Sequence, residues 1–142
     1  MSMGWIHWAL LSASFAALTA IFAKLGLQGI DSDYATLIRT CVILLVLAAL
    51  VMVLDKWRNP FDLPARSLLY LVLSALATGA SWLCYFRALK LGEASQVAPI
   101  DKLSVVLVAI FAVLFLGERP DARGWLGIAL VALGVLVLSL KR

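Results

Sequence analysis

A chain of 142 residues that is 64% hydrophobic and only 14% charged, with a mean hydropathy of +1.04, is excluded from the water-soluble class, where the charged share runs near 25%. Its net charge of +4 does not indicate a nucleic-acid partner, because Lys and Arg are scattered at helix ends and form no stripe. The length accommodates five apolar spans of about 20 residues with short loops and leaves no room for a second domain, so the expected fold is an all-α integral membrane protein over residues 1–142.

The first span is expected over about residues 4–27, with no charged side chain before Lys24. The N-terminal MSMGWIHWALL has neither a basic leader region nor a small-residue cleavage site, so this span is read as part of the protein. Gln28 to Asp33 reads as a loop closed by an N-cap aspartate, and the second span follows over about 34–54. The polar run Asp55-Lys56-Trp57-Arg58-Asn59-Pro60 marks a surface turn before a third span over about 64–89. Gly92 serves as a stop, a fourth span covers about 95–116, and Gly117-Glu118-Arg119-Pro120-Asp121 breaks the chain before a fifth over about 122–140. Trp5, Trp8, Trp57 and Trp125 fall near span ends, where amphipathic rings suit the headgroup region. Cys41 and Cys84 lie in apolar stretches and read as small hydrophobes.

Five spans put the termini on opposite sides of the membrane. Lys56, Arg58, Arg66, Arg119 and Arg123 then oppose Lys24, Arg39, Arg87, Lys90, Lys102, Lys141 and Arg142. Setting aside Arg39 and Lys102 as buried balances the two sides, so the positive-inside rule favours neither orientation strongly. Two copies in opposite senses would form an inverted-repeat pair. A single orientation set by other factors is the competing reading.

Ionisable groups inside a span cost roughly 2.5–3.5 kcal/mol at mid-helix, so each needs a reason. Lys24 lies near the end of the first span and either snorkels to the interface or serves a site. Arg39 stands about 8 Å along the axis from Tyr34 and is harder to place at a surface. Asp101 and Lys102 follow Pro99; as helical neighbours they point about 100° apart, so each is expected to need a partner elsewhere. A fourth helix starting after Pro99, with Asp101 as its cap and Lys102 at the surface, is the alternative. In the third span Ser67, Tyr70, Ser74, Thr78, Ser81 and Tyr85 recur at spacings of three and four, bordered by Trp82. Such a face turns inward, either lining a wet pathway with Trp82 and Tyr85 as aromatic walls or bonding across helices. Gly127 and Gly134 in the fifth span, and Ala9, Ala13, Ala17 and Ala20 in the first, are small-residue faces suited to helix packing.

Nothing points to catalysis. His7, the single histidine, sits among tryptophans near a helix end, and the chain lacks a phosphate loop, metal-ligand spacing or nucleophile elbow. No enzyme, cofactor or metal is expected.

The segment from Ala88 through Leu89-Lys90-Leu91-Gly92-Glu93-Ala94-Ser95-Gln96-Val97-Ala98-Pro99-Ile100-Asp101-Lys102, followed by Phe115-Leu116-Gly117-Glu118-Arg119-Pro120, resembles an EamA domain of the drug/metabolite transporter superfamily, closest to its short five-helix bacterial/archaeal transporter branch. Ile21-Phe22-Ala23-Lys24 and Ala35-Thr36-Leu37-Ile38-Arg39-Thr40 extend the resemblance over nearly the whole chain. Larger relatives join two five-helix halves of opposite topology, so the resemblance implies that this single repeat is completed as a ten-helix inverted-repeat homodimer, most naturally antiparallel, in a bacterial or archaeal cytoplasmic membrane. It also implies secondary active export or exchange of small metabolites. Small multidrug transporters of the superfamily use a membrane-embedded glutamate in their first helix; here the first span carries no acid before its closing loop, which disfavours polyvalent cation/proton antiport.

The leading expectation is a transporter of a small polar, anionic or zwitterionic metabolite, with Lys24, Arg39, Ser81, Trp82, Tyr85 and Lys102 as substrate-binding candidates and Asp101 as the proton-coupling candidate. The alternatives are a polyprenyl-phosphate lipid translocase and a non-transporting membrane subunit that stabilises a partner.

Overall fold

The computed structural model describes residues 4–140. Among them the chain is all helical, with five stretches long and apolar enough to cross a membrane. Lys141 and Arg142, counted above in the charge balance, lie outside the described residues. Helices α1 (Trp5–Gly26), α2 (Ser32–Val53) and α3 (Ala65–Leu91) form the first three spans. The fourth, Ala94–Leu116, is segmented into α4 (Ala94–Asp101), α5 (Ser104–Phe111) and a π-helical turn Ala112–Leu116. The fifth is α6 (Ala122–Ser139). A single 3₁₀ turn, Pro60–Asp62, precedes α3 among the described residues.

Local chemistry explains most boundaries. Asp31 is the N-cap of α2, accepting from the backbone N–H of Asp33 at 2.9 Å and of Tyr34 at 3.1 Å, so the helix starts two residues before the Tyr34 expected from sequence. At the other end Asp55 takes φ +52°, and the N–H groups of Asp55 and Lys56 donate to the carbonyls of Met52 and Val51. This is a Schellman closure in which an aspartate fills the usual glycine position. Asn59 accepts from the Phe61 N–H and shapes the turn into α3. Gly117, at φ +68°, ends the fourth span, and Asp121 caps α6 by accepting from Gly124 N–H at 2.8 Å.

The fourth span starts at Ala94, before Pro99, and breaks after it. Proline supplies no N–H for the Ser95 carbonyl and crowds it. Past Pro99 the ladder tightens to three-residue bonds, Lys102 N–H to Pro99, Leu103 N–H to Ile100 and Val105 N–H to Lys102. The start after Pro99 with Asp101 as cap does not occur: Leu103 is the residue that precedes α5, with no side-chain cap.

Two compact units result, one of residues 4–21 with 92–140 and one of Phe22–Leu91. In the first, α4 and α5 pack on α6, with Ala20, Ala112 and Val135 buried. In the second, α2 packs on α3, with Leu27, Ser32, Thr36, Phe86 and Leu89 buried. Most other apolar side chains are exposed, Leu45 by 69% and Phe115 by 81%. Apolar surface on that scale needs lipid or protein around it, while each helix satisfies its own backbone. Gly127 and Gly134 meet no neighbour within 4 Å of a would-be Cβ, so the close packing expected of them is not made among the described residues.

Candidate functional site

The second unit contains a groove of about 570 Å³ between α2 and α3. Asp33, Thr36, Leu37 and Thr40 line it from α2, at the three- and four-residue spacing that keeps them on one helical face. From α3 come Leu71, Ser74, Ala75, Thr78, Gly79, Trp82 and Leu83. The wall is largely apolar, and its threonine hydroxyls are turned back along their own helices. Thr36 Oγ1 donates to the Ser32 carbonyl at 2.8 Å, Thr40 Oγ1 to Thr36 at 2.7 Å and Thr78 Oγ1 to Ser74 at 2.9 Å. Of the stripe on the third span, the Thr78 hydroxyl bonds within its helix, as those of Thr36 and Thr40 do on α2.

At the end of the groove marked by Asp33, its carboxylate meets the Arg87 guanidinium in a two-toothed fork, Nη2 to Oδ2 at 2.6 Å and Nε to Oδ1 at 3.1 Å. The pair ties the first turn of α2 to the last turns of α3. Nearby, Lys24 Nζ donates to the Leu89 carbonyl at 2.6 Å. Leu89 is among the last four residues of α3, whose carbonyls have no helical partner, so the ammonium satisfies an orphan acceptor at the negative end of the helix. The lysine thus makes a structural contact with the end of α3.

Arg39 lies within α2 and reaches across to α3. Its guanidinium carbon is 4.2 Å from the ring centroid of Trp82, a residue of the groove wall, and 5.3 Å from that of Phe86. Stacking on two rings replaces part of the hydration that a span denies to the charge. The ion pairs among the described residues are Arg87–Asp33 and Lys102–Asp101; neither includes Arg39.

Of the residues expected to share a site, Arg39 and Trp82 are brought together. Ser81 is exposed and lies off the groove wall, and Tyr85, half-buried, packs edge-on beside Phe86 with 6.5 Å between centroids. Asp101 and Lys102 belong to the first unit. There the expectation that they cannot meet is corrected: Lys102 Nζ stands 3.4 Å from Asp101 Oδ2. The 100° separation holds inside a regular helix, whereas Lys102 already occupies the break after α4. Asp33, Thr36, Thr40 and Arg87 were missed as parts of this region. The spacing of Asp33, Thr36 and Thr40 was readable by the rule applied to the third span; the Asp33–Arg87 pairing, across 54 residues, carries no local signal.

Comparison with known proteins follows this geometry. The model of the EamA-like transporter family matches residues 3–140. A Sinorhizobium protein named as an uncharacterized transporter in the cobO 3′ region is 62% identical over 139 residues, 98% of this chain and 99% of its own. An uncharacterized protein of Methanocaldococcus jannaschii is 27% identical over 93% of each chain. A Yersinia pestis protein named as a probable 4-amino-4-deoxy-L-arabinose-phosphoundecaprenol flippase subunit, ArnE, is 33% identical over 73 residues, 51% of this chain and 64% of its own. No solved structure matches the chain.

Proposed function

Because the chain belongs to the EamA-like transporter family, we propose that it is a secondary active transporter, an exporter or exchanger, of a small polar metabolite with anionic or zwitterionic character. It is a multi-pass membrane protein of a transporter family and not an enzyme. The observation that carries the reading is Arg39, a cation within a span, stacked at 4.2 Å on a groove-wall tryptophan and outside both ion pairs of the described residues. A charge at mid-helix costs about 2.5–3.5 kcal/mol, and a cation–π contact returns about 0.5–2 kcal/mol. The uncompensated remainder favours binding of an anion.

In this reading Arg39 and Trp82 form the recognition centre, and Ser81 and Tyr85 border it. Lys102 completes a second basic position whose partner, Asp101, exchanges the coupling proton. Lys24 holds α3 in place. The working unit is a homodimer of inverted repeats in a bacterial or archaeal cytoplasmic membrane, and the even spread of Lys and Arg supports the antiparallel form. The test is reconstitution in proteoliposomes with substrate-induced currents recorded for a panel of small anions and zwitterions. Arg39→Ala abolishes the response and Arg39→Lys retains a fraction of it; wild-type transport by Arg39→Ala overturns the assignment. Labelling a C-terminal cysteine from each side of the membrane settles orientation, with modification from both sides expected.

A second reading, translocation of a polyprenyl-phosphate lipid, is favoured by the likeness to a flippase subunit. Basic side chains would then take the lipid phosphate. Lipid retained by the purified protein in native mass spectrometry, with no response to soluble anions, selects this reading.

A further inference from the structure

We infer that the α2–α3 groove selects an amphipathic monoanion: a compact apolar body with one negative end, and not a polyhydroxylated or multiply charged solute. The inference rests on the transporter reading and narrows its substrate class.

The groove wall supplies the first half of the argument. Leu37, Leu71, Ala75 and Leu83 offer hydrocarbon, and Trp82 adds an aromatic face. Thr36, Thr40 and Thr78 spend their hydroxyl protons on backbone carbonyls at 2.7–2.9 Å, which leaves mainly methyl groups for a ligand. A sugar-like solute brings many donors and acceptors, each of which loses water without gaining a partner on such a wall. An apolar body loses nothing comparable and gains from burial.

Charge supplies the second half. Asp33 is the ionised residue of the wall, and both of its oxygens are occupied by Arg87. Beside this groove Arg39, in neither ion pair of the described residues, holds its guanidinium carbon 4.2 Å from the Trp82 ring centroid. One planar cation matches one carboxylate or sulfonate through paired N–H bonds, while a second negative charge on the ligand faces a wall that is mostly hydrocarbon, with the Ser74 hydroxyl its one serine group. A groove of about 570 Å³ is within the range of small-molecule sites, roughly 300–1,000 Å³. That size suits a soluble small molecule as the occupant.

The test uses the full-length protein in nanodiscs and four probes: benzenesulfonate, its uncharged analogue benzenesulfonamide, gluconate, and inorganic phosphate. Binding is read by thermal shift and titration, and transport by counterflow of radiolabelled benzenesulfonate, whose permanent charge keeps it from crossing lipid unaided. Benzenesulfonate is expected to bind at least about tenfold more tightly than each of the other three. Arg39→Lys should weaken it by about tenfold, and Ala75→Trp, which fills the groove while leaving the ion pairs intact, should abolish it. Folding of each variant is checked by circular dichroism. Tighter binding of gluconate or phosphate, or undiminished binding by Ala75→Trp, overturns this inference and leaves the transporter reading standing. A retained lipid together with no binding of any probe overturns both.

Discussion

Replacing Lys24 by methionine separates a structural lysine from a substrate-binding one. Methionine keeps most of the stem but removes the ammonium that donates to the Leu89 carbonyl at 2.6 Å. A hydrogen bond with one charged partner contributes about 1.5–3 kcal/mol, and an acceptor left unsatisfied in a buried place sits toward the upper end. Leu89 is 0% exposed, so water cannot replace the lost donor. The helix-dipole contribution of about 0.3–1 kcal/mol belongs to the same contact and is not added again. A loss of about 2 kcal/mol corresponds to a fall in Tm of roughly 4–8 °C for a chain near this size. Circular dichroism melts of the protein in nanodiscs measure it, with Lys24→Arg, which retains a donor, expected to recover at least half. If Lys24→Met melts with the wild type, the contact does not hold α3 in the way described. If it melts with the wild type and also loses ligand affinity, Lys24 is a substrate-binding group.

Three further outcomes are expected. Asp33→Asn and Arg87→Gln should each loosen the α2–α3 pair and increase protease sensitivity near the Gly29 turn, while the exchanged pair Asp33→Arg with Arg87→Asp should restore resistance; a double variant no better than the singles refutes the fork. Gly117→Ala places a Cβ on a backbone at φ +68° with open space around it, so the cost is conformational alone, about 1–2 kcal/mol, read as a lower Tm with unchanged ligand affinity. Asp101→Asn should remove the pH dependence of proteoliposome uptake without removing exchange at constant pH; uptake that stays pH-driven assigns the coupling proton elsewhere.

Composition and polar punctuation were enough to establish the membrane class and the five spans, because lipid demands uninterrupted apolar helices and tolerates turns only outside them. The break from Gly117 to Asp121 was legible for the same local reason: the signals that end one helix and start the next act within a few residues of themselves. Arg39 could be singled out as a charge in the wrong medium, and Trp82 as an aromatic wall beside the polar stripe of the third span. Tertiary structure decided their stacking, the groove between α2 and α3, the fork of Arg87 on Asp33 and the use of Lys24 on the Leu89 carbonyl. Each of these joins residues far apart in the chain, and no periodicity within one helix encodes which face of the next it will meet. The same limit explains Asp101 and Lys102: helical geometry held them apart on paper, and the break after Pro99 brought them within 3.4 Å.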